Sequence, residues 1–142
     1  MTQLIDFKSI VAAAQRIDGS VVRTPTVESS MLAGMVERPV FLKLENLQTG
    51  GSFKARGVLN KFSALQEGLS DSHFVAVSGG NFGIAIGEAA KRFGARVTVI
   101  MPESAPSSSV ERIRASGSTV IVEADVPVSY THLRAHETGR NL

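Results

Sequence analysis

The sequence predicts an α/β fold, an open parallel sheet with helices on both faces. Two observations predict this fold. Short apolar segments of strand length alternate with amphipathic segments of helical length, and glycine- or proline-containing turns separate them. Strands as continuously apolar as residues 73–77 are typical of parallel sheets whose two faces are both covered by helices. The crossovers between such strands are expected to be right-handed.

The elements follow in order along the chain. Asp6 begins a helix that runs to Ile17, because the apolar residues between them share one helical face, and Gly19 ends it. The segment Arg23-Thr24-Pro25-Thr26 is extended, since a residue before proline avoids the helical region. The later pattern predicts helices at 29–35, 53–65, 82–93 and 107–115, and strands at 40–45, 73–77, 96–101 and 119–122.

Composition and charge exclude several function classes. The 142 residues include 15 Lys and Arg against 13 Asp and Glu, and the resulting net charge of +2 is too small to predict binding to nucleic acid or to a membrane surface. Because cysteine is absent, disulfides, thiolate metal sites and cysteine nucleophiles are excluded. The apolar runs are too short for a membrane span, and no leader pattern opens the chain, so cytoplasmic residence is the default expectation.

Two glycine-rich loops form the candidate ligand site. Gly50-Gly51-Ser52 and Ser78-Gly79-Gly80-Asn81 each lead into a predicted helix. Open α/β sheets bind ligands beyond the carboxyl ends of their strands, where both loops are expected to lie. The unpaired N–H groups at a helix start favour an anion. The pattern therefore predicts a small anionic ligand.

Lys54 follows the first of these loops and is the first candidate for chemistry. A lysine at the mouth of such a crevice can act as a Schiff-base nucleophile. An ordinary solvated lysine in the first turn of a helix has the same pattern, so the pattern alone leaves both interpretations open.

Three motifs around this lysine resemble those of the fold-type II pyridoxal-phosphate enzymes, whose fold is similar to the tryptophan synthase β chain. Ser52-Phe53-Lys54-Ala55-Arg56-Gly57, preceded by Leu44-Glu45-Asn46-Leu47-Gln48, resembles their cofactor-lysine motif. Ser78-Gly79-Gly80-Asn81-Phe82-Gly83 is similar to their second loop, and Arg23-Thr24-Pro25 to an upstream motif. The chain most resembles the serine/threonine dehydratases, or threonine ammonia-lyases, and the serine racemases, from about residue 5 to residue 125.

The resemblance implies pyridoxal 5'-phosphate as the cofactor, with an amino acid as the small-molecule substrate. Lys54 would hold the cofactor and then act as the base at Cα. Phe53 would pack beside the pyridine ring, and Asn81 would hydrogen-bond the ring hydroxyl oxygen. Glycine permits close approach to backbone amides that fit a carboxylate. The residues implied at the substrate are Ser52, Ser78, Gly79, Gly80 and Asn81.

The implied reaction is α,β-elimination, which converts a hydroxy amino acid such as L-threonine or L-serine into a 2-oxo acid and ammonia. Gly79 stands where the serine racemases have a hydroxyl residue. Racemisation needs acid–base groups on both faces of a planar intermediate, and only Lys54 is visible, so elimination is favoured. Phe82 replaces the histidine common in threonine dehydratases, which leaves the substrate preference open.

Other interpretations remain. An amino-acid racemase or a β-replacement enzyme would share the fold, although Phe53 and Phe82 stand where cysteine synthases have valine and threonine. A nucleotide-binding module is disfavoured, because neither a G-x-G-x-x-G after the first strand nor a phosphate loop ending in Gly-Lys-Ser/Thr occurs. A non-catalytic fragment serving as a ligand-binding or interaction module would require the C-terminal residues to be native. No group of residues is expected to bind a metal ion. This includes His132 and His136, although they are spaced i, i+4.

The resemblance also implies a domain organisation. Residues 1–45 are expected to begin the larger domain, and residues 46–125 to form the small α/β domain with the cofactor-lysine region. Residues 126–142 are polar and aperiodic and resemble a translated sequencing adaptor, so we expect a non-native tail. We expect the chain to be an N-terminal fragment, poorly soluble and inactive by itself, of a protein that forms a homodimer or homotetramer at full length.

Overall fold

A computed structural model describes residues 5–65 and 68–124. Its helices are α1 (Phe7–Arg16), α2 (Ser30–Val36), α3 (Lys54–Leu65), α4 (Asn81–Phe93) and α5 (Ser107–Ala115). Its strands are β1 (Thr26–Glu28), β2 (Phe41–Lys43), β3 (His73–Val77), β4 (Arg96–Pro102) and β5 (Thr119–Glu123). Two short 3-10 turns, Glu45–Leu47 and Thr49–Gly51, connect β2 to the start of α3.

The N-terminal part contains α1, α2 and a two-stranded antiparallel sheet. Asp6 caps α1, because its carboxylate accepts a hydrogen bond from the backbone N–H of Ser9 at 2.8 Å. Strands β1 and β2 pair antiparallel, with Thr26 opposite Lys43. The sequence predicts the first of these segments only as extended chain. α1 packs against α3, so this part is connected to the helix that carries the candidate lysine.

Strands β3, β4 and β5 form a parallel sheet in that order, which confirms the α/β class. α4 and α5, which connect these strands, contact each other and therefore lie on the same face of the sheet; right-handed crossovers stay an expectation. α3 packs against α4 in the same layer. On the opposite face Val77, Ile100 and Ile121 lie side by side in register.

The core lies between the sheet and this helical layer. Its fully buried large side chains belong to Ile86, Val99, Met101 and Ile113, and burial of each contributes about 1.5–3 kcal/mol. Gly83 and Gly87 let α4 approach its neighbours closely. A Cβ at Gly83 would lie 2.8 Å from the Ile113 Cδ1 atom.

None of the helices within residues 5–65 and 68–124 has the length and apolar character that crossing a membrane would require. The expectations for residues 126–142, including His132 and His136, lie outside the described residues. The division into a larger and a small domain stays a prediction.

Candidate active site

Lys54 is the first residue of α3, at the end of the first glycine-rich loop. Its side chain is exposed, and its Nζ atom lies 5.0 Å from the centre of the Phe53 ring. An ammonium group at this distance over an aromatic face is attracted by the ring's electrons. Phe53 is itself 60 % exposed, so a large flat apolar surface lies open beside the amine. The roles of Lys54 and Phe53 toward the cofactor, which the resemblance implies, stay predictions.

The turn before Lys54 depends on its two glycines. Gly50 and Gly51 have φ values of +75° and +79°, a region that other residues adopt only with strain. The N–H of Gly51 donates to the carbonyl of Gln48 at 2.7 Å, which closes the turn. Ser52 then follows as a buried residue, and its hydroxyl lies 3.4 Å from the backbone N–H of Lys54. Ser52 therefore supports the helix start, while its substrate-binding role stays a prediction.

The second loop connects β3 to α4. The buried hydroxyl of Ser78 accepts hydrogen bonds from the N–H groups of Gly80 at 3.3 Å and Gly83 at 2.9 Å. The first turn of α4 is thus fastened to the end of β3. Gly79 and Asn81 are exposed, and a Cβ at Gly80 would meet no atom within 4 Å. Their backbone lies open at the positive end of a 13-residue helix, where an anionic group is favoured.

A cavity of about 320 Å³ lies between α3, β3 and α4. Its walls are mostly apolar, and among the described residues its only titratable side chains are Lys54 and Lys61. The remaining lining residues are Phe53, Gly57, Val58, Phe62, Leu65, Phe74, Phe82 and Ile86. The cavity brings the candidate lysine together with Phe82, the residue that follows Asn81. Ser52, Ser78, Gly79, Gly80 and Asn81 are not among its lining residues.

Only the second loop follows a strand of the parallel sheet. The first loop follows β2, which belongs to the antiparallel pair. Packing of α3 against α4 nevertheless places the starts of both helices at the same cavity, because Lys54 and Phe82 both line it.

A polar network lies beneath the start of α3. Arg56 forms two parallel hydrogen bonds with the carboxylate of Glu45, from Nε at 2.8 Å and from Nη2 at 2.7 Å. The hydroxyl of Thr24 donates to the same carboxylate. These contacts with Arg56 and Thr24 hold the pKa of Glu45 down at about 2. Arg56 and Glu45 thus form an ion pair next to the segment that carries Lys54.

Gln48 extends this network and was not singled out from the sequence. Its side chain is buried and bonds both backbone groups of Val22, at 2.8 Å in each direction. Arg56 also donates to the Val22 carbonyl at 3.1 Å. The segment before β1 is thus fixed to the turn that precedes Lys54. The sequence around Gln48 carries no local signal for this role, because its partner Val22 lies 26 residues away.

The site fits pyridoxal phosphate in the groups it offers. An accessible primary amine can hold the aldehyde carbon of the cofactor. The exposed Phe53 face fits a flat pyridine ring, and the open backbone around Gly80 leaves space where a side chain would intrude. Within the described part of the chain, no cluster of three or more His, Cys, Asp or Glu residues could hold a metal ion.

Comparison with known proteins decides the family. A model of the family described as pyridoxal-phosphate dependent enzyme matches residues 17–141. The chain belongs to this family. Membership in the pyridoxal-phosphate dependent enzymes accounts for the three motifs and for pyridoxal phosphate as the cofactor.

Two ammonia-lyases are among the relatives of this family member. The chain is 38 % identical over 119 residues to L-threo-3-hydroxyaspartate ammonia-lyase from Pseudomonas sp, covering 84 % of this chain and 37 % of that protein. It is 37 % identical over 123 residues to L-threonine ammonia-lyase from Thermotoga maritima, covering 87 % and 31 %. Among solved structures, maize serine racemase superposes with a TM-score of 0.74 at 36 % identity, covering 84 % and 36 %. The chain thus spans about a third of the length of these relatives.

Proposed function

We propose that the protein uses pyridoxal phosphate to eliminate water from Cα and Cβ of a hydroxy amino acid such as L-threonine or L-serine, after which water hydrolyses the resulting imine to a 2-oxo acid and ammonia. The observation that carries this proposal is the position of Lys54, an accessible amine at a cavity beside the amide-rich start of α4. The two ammonia-lyases named above support the same reaction class. The active protein is proposed to be a cytoplasmic homodimer or homotetramer.

Each candidate residue has a chemical task in this proposal. Lys54 holds the cofactor through its Nζ atom and, once released from it, takes the proton from Cα of the substrate. The backbone amides of Gly79 and Gly80, with Ser52, Ser78 and Asn81, hold the substrate carboxylate at the start of α4. Asn81 also donates to the ring hydroxyl oxygen, while Phe53 packs against the ring. The bound cofactor supplies the electron sink for the negative charge that develops at Cα.

The experiment that tests this proposal is reduction of the cofactor-loaded protein with borohydride, followed by peptide mass spectrometry. The protein is purified from its complete gene. We expect a phosphopyridoxyl label on Lys54 and loss of that label in Lys54→Ala. Lys61→Ala is the matched control, since Lys61 lines the same cavity and should leave the label in place. A label on Lys61, or one that persists in Lys54→Ala, contradicts the assignment.

A racemase is the second candidate, favoured by the similarity to maize serine racemase. Elimination is the first candidate, because the described residues that line the cavity include no titratable side chain besides Lys54 and Lys61. Racemisation would need a second acid–base group on the opposite face of Cα. Chiral chromatography after incubation with L-serine separates the two candidates. Pyruvate and ammonia support elimination, whereas D-serine as the main product supports the racemase.

A further inference from the structure

We propose that Glu88 and Arg112 are positioning residues that fix the Gly50–Gly51 turn and, through it, the place of Lys54. The inference deepens the proposed function and rests on the role of Lys54 given there. Neither charged residue belongs to the motifs that mark the site in the sequence. Glu88 lies in the middle of α4, and Arg112 lies on α5.

The turn packs directly against this ion pair. The Arg112 Nη2 atom lies 3.3 Å from the Glu88 Oε1 atom. A Cβ at Gly50 would stand 3.0 Å from the other carboxylate oxygen of Glu88, and one at Gly51 would stand 4.0 Å from the Arg112 Nη1 atom. The carboxylate therefore occupies the space that a side chain at position 50 would need. Three elements of the chain, the turn, α4 and α5, meet at one pair of charges.

The connection from the turn to the lysine is short. Gly51 is bonded back to Gln48, and only Ser52 and Phe53 separate it from Lys54. Because Ser52 is buried and supports the Lys54 N–H, a displaced turn shifts the helix start with it. Glu88 belongs to the same helix as Asn81. The pair therefore sets the two loops of the site at a defined separation.

The solvent exposure of the two side chains distinguishes a positioning role from a contribution to the stability of the whole fold. The side chains of Arg112 and Glu88 are 50 % and 36 % exposed, and ion pairs this accessible contribute little to the free energy of unfolding. Loss of the pair is therefore expected to loosen the turn while the fold stays intact. A pair that served only to join α4 to α5 would have no effect on the turn.

The first test is hydrogen–deuterium exchange on the full-length protein, with and without pyridoxal phosphate. In Glu88→Gln, exchange of the peptide spanning residues 48–54 is expected to rise at least about threefold, while exchange in β4 stays unchanged. Arg112→Gln is expected to raise exchange in the same peptide. Arg112→Lys is expected to keep the wild-type exchange rate, because it keeps the positive charge. Glu111→Gln is the matched control, since Glu111 is a neighbouring exposed carboxylate on α5 without an ion pair among the described residues.

The second test is the dissociation constant for pyridoxal phosphate, measured by titration. A misplaced lysine is expected to weaken binding roughly tenfold in either single variant, with no further loss when both are combined. Unchanged exchange at residues 48–54 in Glu88→Gln overturns the inference. So does an increase that spreads through the sheet together with a lower melting temperature. Failure of the proposed function shows separately, as absence of the borohydride label from Lys54.

Discussion

Replacing Glu45 by glutamine removes one charge from the network beneath α3 and keeps the size of the side chain. In the folded protein Arg56 and Thr24 hold the pKa of Glu45 at about 2, against an ordinary value of 4.5. That interval corresponds to about 3 kcal/mol, since each pKa unit is worth about 1.4 kcal/mol. The side chains of Arg56 and Glu45 are 32 % and 16 % exposed, so water screens part of this interaction. We therefore expect the substitution to lower the free energy of unfolding by about 1–2 kcal/mol at pH 7.

The sign of the pH dependence follows from the lowered pKa. The stabilisation is fully present above pH 4.5, where the carboxylate is charged in both the folded and unfolded protein. It is lost as the pH falls from 4.5 to about 2. Urea unfolding of the wild-type protein and of Glu45→Gln, measured at several pH values, should give curves that converge in acid. Glu111→Gln serves as the control, and its free energy of unfolding should differ little from that of the wild-type protein at every pH.

Two results would refute this reasoning. One is an equal destabilisation of Glu45→Gln at pH 7 and at pH 3, which would mean that the side chain acts by shape and not by charge. The other is a difference below about 0.5 kcal/mol at pH 7, the value of an ordinary exposed pair.

Three further substitutions test the packing around α4. Gly83→Ala places a methyl group 2.8 Å from the Cδ1 atom of the buried Ile113; in urea unfolding, the overpacking should outweigh the gain in helix propensity and cost about 1–2 kcal/mol. Gly87→Ala would meet the Ser116 Oγ atom at 2.5 Å, so its loss of melting temperature should be largely restored by adding Ser116→Ala, and no restoration would argue against a steric cause. Phe62→Ala removes a buried ring stacked 4.8 Å and 5.7 Å from two other phenylalanine rings and should cost about 3–5 kcal/mol in the same urea assay; a loss below about 1 kcal/mol would mean that the site collapses to fill the space.

The regular elements of the small sheet were predictable because their signals are local. The predicted strand 73–77 and helix 107–115 have the observed bounds, and the predicted helices 53–65 and 82–93 differ by one residue at their starts. Apolar alternation, glycine turns and serine caps act over a few residues, so a single sequence carries them. The site loops were found for the same reason, since glycine pairs before helices are visible without a structure.

Contacts between distant parts of the chain were harder to predict. β1 is a strand because it pairs with β2, whereas the sequence of Thr26–Glu28 alone has no strong strand pattern. Gln48 and Glu88 look like ordinary polar residues until the fold places Val22 and Gly50 beside them. These contacts depend on which elements lie next to each other in the folded chain, and the periodicity of the sequence carries no information about that.

The hydroxyl of Ser78 has a consequence for how quickly and how tightly an anion binds. By accepting hydrogen bonds from the N–H groups of Gly80 and Gly83, it orders the second loop in the free protein. A loop that becomes ordered only on binding would lose about 1–2 kcal/mol of conformational entropy for each residue fixed. Here that loss belongs to folding, so the arriving ligand meets a preorganised set of amides. Ser78→Ala would accordingly slow association, because the ligand would have to wait for the loop to assume its bound shape, and it would also remove the hydroxyl proposed to contact the substrate carboxylate.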